Sequence, residues 1–128
     1  MDRFQHIVRF SIFGHVHLEI YGVAHSFENP SPIGVHYWAG SVSSWYSVNP
    51  SFRMFEVDLE TMLPVKVHTY VMNIREEVDP KWKYDHEVTE LYNMTDLSPE
   101  SFAKLSHDIK DNEQLAILYQ KTMSSHGN

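Results

Sequence analysis

Two histidines, His15 and His17, stand one residue apart directly behind Gly14, at the end of the strand-forming run Arg9-Phe-Ser-Ile-Phe. On a strand, residues i and i+2 project to the same side, about 6 to 7 Å apart from the rise per residue. That spacing suits two ligands that each hold one ion of a close metal pair if the backbone turns between them, because two-metal hydrolases keep their ions about 3.5 to 4 Å apart. Gly14 is expected to supply the flexibility for that turn. The plainer outcome for a His-x-His pair is two exposed side chains on a strand with no ligand. The chain has nine histidines and no cysteine, so a transition-metal site here has to be built from imidazole and carboxylate. Ordinary burial tendencies put about six or seven of the nine at the surface.

Other candidates are weaker. His25, His36 and His68 fall in predicted strands, dispersed and without Asp or Glu at ligand spacing, and read as ordinary half-buried histidines. Glu56 and Asp58 read as a strand's outer face running into a turn. There is no Gly-x-Ser-x-Gly, phosphate-cradling loop or dinucleotide fingerprint, and no cysteine nucleophile. A formal net charge of −7 with no basic run argues against a duplex nucleic-acid binder.

The elements that must position these residues divide the chain into a strand-rich part, residues 1–74, and a helical part, residues 75–128. The predicted class is α+β, with about five mostly antiparallel or mixed strands and about three helices. Strands are expected over His6–Phe13, in Glu19-Ile-Tyr-Gly-Val-Ala-His-Ser-Phe, in Val35–Ser43, in Phe52–Asp58 and in Pro64–Ile74, with a loop at Glu28–Gly34 and a hairpin connection at Leu59–Leu63. Asp79 and Pro80 predict a helix start, with Trp82, Val88 and Leu91 facing inward. Ser98 and Pro99 repeat the device before Phe102, Leu105 and Ile109, and Leu115, Leu118, Tyr119 and Met123 mark a third helix. A chain of 128 residues fits one ordinary domain. No apolar run reaches the roughly 20 residues of a membrane span, and the start Met-Asp-Arg-Phe-Gln-His lacks a leader's basic and apolar regions. With no cysteine, no disulfide scaffold is available.

Phe-Gly-His-Val-His after a buried strand resembles the last metal-binding motif of the calcineurin-like metallophosphoesterases, Gly-His-x-His. The resemblance extends through Asn49-Pro-Ser-Phe-Arg-Met-Phe-Glu-Val-Asp, Val67-His-Thr-Tyr-Val-Met-Asn-Ile and the tail from Leu91 to Met123. Over nearly the whole chain it is similar to the carboxyl-terminal half of the acid sphingomyelinase and sphingomyelinase-like phosphodiesterase branch. The resemblance implies the carboxyl-terminal half of a metallophosphoesterase β-sandwich followed by a small helical subdomain. It assigns His15 and His17 to different ions of a di-zinc site that hydrolyses a phosphodiester of lipid or nucleotide type. It also implies a substrate-lining aromatic a few positions before the Asn-Pro pair, where this chain has Trp45 with Tyr46 beside it; the alternative is an aromatic packed beneath the loop. Asn93-Met94-Thr95 is a glycosylation sequon that fits the exported or lysosomal setting of that branch.

The family's other ligands come from Asp-x-His, Gly-Asp, Gly-Asn-His-Asp/Glu and a second Gly-His segment, and none of these occurs here; His6 lies too close to the strand to replace them. Without a bridging carboxylate two ions repel at short range, and neutral imidazoles do not offset their charge. The expectation is therefore a chain inactive alone, whose two ligands are completed by an amino-terminal half or a partner chain. The competing expectation is a catalytically dead remnant kept as a structural or interaction subunit of a larger complex. An incomplete chain or gene model is a third.

Overall fold

A computed structural model of the chain describes residues 2–127. Strands β1 (Phe10–Phe13), β2 (Ile20–His25) and β3 (Pro32–Trp38) form one sheet in the order β1-β3-β2. In it β1 runs parallel to β3, Phe10 opposite Val35 and Phe13 opposite Trp38, while β2 is antiparallel to β3. Strands β4 (Ser51–Val57), β5 (Pro64–Val71) and β6 (Lys83–Glu87) form a second, fully antiparallel sheet in the order β4-β5-β6. Three helices follow, α1 (Val88–Leu91), α2 (Pro99–Asp111) and α3 (Glu113–Met123). The α+β class stands, with six strands in two small sheets instead of about five.

Three expectations are corrected in detail. The first strand begins at Phe10, not His6, because the amides of Ile7 and Val8 both donate to the Phe4 carbonyl and close a turn there. The loop expected through Gly34 ends at Ser31, since Pro32 opens β3, a position where the missing amide costs the ladder nothing. The helix expected from Asp79 does not form: Lys83–Glu87 is a strand paired with β5, and only Val88–Leu91 is helical. Local capping signals at Asp79 and Pro80 lose to the open edge of β5, along which Tyr84 lies against Tyr70. Trp82 is accordingly not a core residue; it stays 40% exposed and meets Phe52 edge-on.

The remaining helix signals hold. Ser98 Oγ accepts from the Ser101 amide ahead of Pro99, and Asn112 Oδ1 caps α3 through the Leu115 amide. Phe102 and Leu105 are buried in one core with Val35, Tyr37, Val67, Val88, Tyr92 and Leu97. Tyr37 sits at its centre, touching Phe55 of the second sheet, Phe102 of α2 and Tyr21 of its own sheet edge-on at ring distances of 5.4, 5.7 and 6.0 Å. Among the described residues no helix is long and apolar enough to cross a membrane.

Candidate functional site

Because β1 and β3 are parallel neighbours, the chain leaves both at the same end of the sheet, after Phe13 and after Trp38. Loops at the carboxyl ends of parallel strands are where sheets of this kind present ligand sites. The first loop carries His15 and His17, the second Trp45 and Tyr46, and these four line one open groove of about 880 Å³ together with Val16, Leu18, Ile20 and Ser43. His17 and Tyr46 meet edge-on with ring centroids 6.1 Å apart. Trp45 and Tyr46 are 67% and 75% exposed; neither is packed beneath its loop.

The turn between the histidines is made differently from the sequence expectation. Both imidazoles lie beyond the strand, which ends at Phe13. Gly14 keeps an ordinary φ, and a Cβ there would meet nothing within 4 Å. The left-handed residues are His15 (φ 78°) and His17 (φ 61°) themselves. The Val16 amide donates to the Gly14 carbonyl at 3.0 Å, closing a three-residue γ-turn around His15, the strained form with positive φ. Tyr46 and Ser47 are also left-handed, at 65° and 62°. Non-glycine residues in that region cost free energy and persist only where the surroundings over-determine them.

The surroundings do so here. Ala39 donates its amide to the Phe13 carbonyl at 3.0 Å and Glu19 donates its amide to Met123 at 2.9 Å, fixing both ends of the histidine turn. Arg53 reaches in from β4: its Nη2 donates to Glu19 Oε2 at 2.8 Å and to the Tyr21 hydroxyl at 2.7 Å, and its Nη1 donates to the Trp38 carbonyl at 3.2 Å. Burial opposes the guanidinium's charge, but Tyr21 and Glu19 overcome it and raise the Arg53 pKa. The aromatic loop is held by Arg75 Nη2 on the Ser47 carbonyl at 2.9 Å. Below it, buried Asn49 donates to the Ser125 carbonyl and accepts from the Ile74 amide, and the hydroxyls of Ser51 and Ser125 meet at 2.8 Å. The segment Asn49-Pro-Ser-Phe-Arg is thus the support under both loops.

Imidazoles are the right donors for zinc, and His17 Nδ1 is buried without a hydrogen-bond partner. The donor set within the described residues is nevertheless short. No cluster of three or more His, Cys, Asp or Glu that could hold a metal ion occurs among them, whereas catalytic zinc takes three protein ligands and a water.

The other histidines lie elsewhere. His25 is exposed instead of half-buried, His36 lies half-buried between Phe13 and Trp38, and His68 pairs with Glu56 at 2.7 Å across the outer face of β4 and β5. Asn93 is exposed and left-handed just past α1, a post that asparagine takes readily. Sequence reasoning missed a cluster near the chain's end, where Asp85 Oδ2 bonds both His86 Nδ1 at 2.6 Å and His126 Nε2 at 3.0 Å. Asp85 and His86 are neighbours in sequence, and it is their meeting with His126, 41 residues on from Asp85, that the sequence does not show.

A mixed sheet and an antiparallel sheet, a capped helical tail and a histidine turn facing an aromatic loop define an α+β chain with two imidazoles and two exposed aromatic rings at one sheet end. Residues 31–128 match the family described as the acid sphingomyelin phosphodiesterase C-terminal region, and the chain belongs to it. It is 27% identical over 129 residues to sphingomyelin phosphodiesterase A of Dictyostelium discoideum, an alignment covering 98% of this chain and 22% of that protein. It is 30% identical over 109 residues to sphingomyelin phosphodiesterase B of the same organism, covering 77% of this chain and 17% of the relative. To acid sphingomyelinase-like phosphodiesterase 3b of Mus musculus it is 25% identical over 113 residues, covering 79% and 25%. The chain spans about a fifth of the length of the curated relatives it matches.

Proposed function

We propose that this chain is the carboxyl-terminal part of a sphingomyelinase-like, metal-dependent phosphodiesterase, inactive alone, that contributes His15 and His17 to a di-zinc site completed by an amino-terminal half or a partner chain. The observation that supports this reading is that His15, His17, Trp45 and Tyr46, from loops far apart in sequence, line one groove. In this reading the two sheets are the carboxyl-terminal half of a metallophosphoesterase sandwich. The zinc pair, when bound, polarises the phosphodiester and lowers the pKa of a bound water toward neutrality.

The chain's own residues orient and shield. His15 and His17 would each hold one ion through an imidazole. The exposed rings of Trp45 and Tyr46 wall the groove, pack against the apolar part of the substrate and exclude water beside the imidazoles. Carboxylates from outside this sequence would supply the charge balance the imidazoles lack. Asn93 is an N-glycan acceptor in an exported parent. The alternative, a catalytically dead remnant serving as a structural subunit, draws on the absence of a third donor among the described residues.

Turnover of a chromogenic phosphodiester tests the proposal. The chain alone is expected to give no zinc-dependent rate, and mixing or fusing it with the amino-terminal region of a relative is expected to give one that His15→Ala removes. A zinc-dependent rate from the chain alone that falls in His15→Ala contradicts inactivity, and a restored activity indifferent to both histidines favours the structural subunit.

A further inference from the structure

The features left after the site is assigned include an ion pair that its surroundings do not make favourable on stability grounds. Glu19 and Arg53 lie 2.8 Å apart with side chains only 2% and 1% exposed. Glu19 Oε1 and Arg53 Nε are buried with no partner, so the pair is incompletely solvated by the protein. The space around it is closed: a Cβ on Gly40 would collide with Ser51 Oγ and press on Glu19 Cγ. Buried pairs of this kind are commonly matched or exceeded in stability by well-packed apolar side chains. What an apolar replacement cannot supply is the geometry.

The guanidinium fork makes contact with both loops of the groove. Its Nη2 holds Glu19, two residues after His17, and its Nη1 holds the carbonyl of Trp38, the last residue of β3 and the point where the chain departs toward Trp45. Tyr21 braces the fork from below, its hydroxyl accepting from Nη2 at 2.7 Å and its ring 4.7 Å under the guanidinium carbon, and Thr69 donates to Glu19 Oε2 at 3.3 Å. A planar fork with donors on separate nitrogens serves two acceptors at fixed separation, which a single flexible ammonium does not.

We propose that Arg53, paired with Glu19, is a positioning residue that sets the histidine turn and the aromatic loop at a fixed separation, so that His15 and His17 present their imidazoles in metal-binding geometry. This rests on the reading of those histidines as ligands. Outer partners that orient metal ligands are worth about ten- to hundredfold in affinity, and that is the loss assigned to breaking this pair.

The test uses the double variant Glu19→Met/Arg53→Met, which strands no charge, and the conservative Arg53→Lys. Two readouts are taken on the whole chain beside its melting temperature. Without metal, hydrogen exchange at the Val16 and Glu19 amides is expected to quicken at least tenfold in both variants while the midpoint of the double variant is unchanged or raised. With zinc, imidazole NMR signals of His15 and His17 are expected to report affinity about ten- to hundredfold weaker than in the unaltered chain. Folded variants with unchanged exchange and unchanged zinc affinity overturn the proposal. If the unaltered chain shows no zinc response at His15 or His17, two imidazoles without the completing carboxylates are too few to hold the ion, and the metal-free exchange alone decides whether Arg53 positions the turn. If the double variant does not fold, Arg53→Lys decides in the same readouts.

Discussion

Arg53 and Asp85 show how differently a buried ionic contact and one near the surface act on the same molecule. Arg53 is enclosed with its carboxylate, so removing one partner leaves a charge with nowhere to go. Arg53→Met alone is expected to cost about 3–5 kcal/mol of unfolding free energy in a urea titration, the penalty for an uncompensated buried charge. Asp85 instead ties mobile chemistry to pH. Burial alone would push its carboxyl up, but hydrogen bonds from His126 and His86 outweigh this and hold it well below the ordinary aspartate value. The same bond raises the His126 pKa against the opposing effect of burial. Glu76, Glu77, Lys83 and Tyr84 line the recess around the pair, and Glu19 and Lys121 act on His126 with opposite signs. Because His126 is raised, its contribution is fully present below its unfolded pKa of about 6.5 and is lost as pH climbs through the folded value. Asp85's contribution is present above its ordinary value of 3.8 and is lost as pH falls. The melting temperature is therefore expected to fall as pH rises above about 6.5 by a larger amount in the unaltered chain than in Asp85→Asn. Equal slopes in the two proteins contradict the contact.

Element boundaries were legible where a local signal met no competing partner. Ser98 with Pro99 and Asn112 before Glu113 start helices as their side chains dictate, and the Leu59–Leu63 turn forms because Asp58 Oδ1 accepts from the amides of Glu60 and Thr61. The stretch from Asp79 to Glu87 was misread because its decisive partner, the edge of β5, lies twelve or more residues away. Where that strand stops, Glu87 takes over: its carboxylate, buried but lowered in pKa by the hydrogen bonds that outweigh burial, accepts from the amides of Thr89, Glu90 and Val67 and from the Thr89 hydroxyl. Glu87→Ala leaves three amides unsatisfied at the junction of β5, β6 and α1. It is expected to destabilise the chain by about 1–3 kcal/mol in thermal or urea unfolding, and Glu87→Gln by less. At the site, the pairing of His15 with His17 was readable from spacing. Their left-handed backbone was not, because the residue types in Gly-His-Val-His do not announce it, and the bonds that fix the ends of the turn come from Ala39 and Met123, far off in sequence.

At the scale of the whole molecule, the pattern is one of surfaces prepared for company. Among the described residues β1 pairs on one side only, with β3, and Ile12 and Phe13 on it, with Ile7 and Val8 in the turn before it, are 41–69% exposed. An unpaired edge bearing apolar side chains is a template for another strand, and the relatives are about five times longer than the stretch they share with this chain. In the proposed function one completing region would cover β1 and bring carboxylates to the groove, joining the open edge and the short donor set in one explanation. The most direct measurement is a crystal structure of the chain combined with a relative's amino-terminal region in zinc, phased to locate the metal by its anomalous signal. The account predicts two zinc ions in the groove, one on His15 and the other on His17, with a bridging carboxylate contributed from outside this sequence. Histidines free of metal and packed against the added region would contradict it.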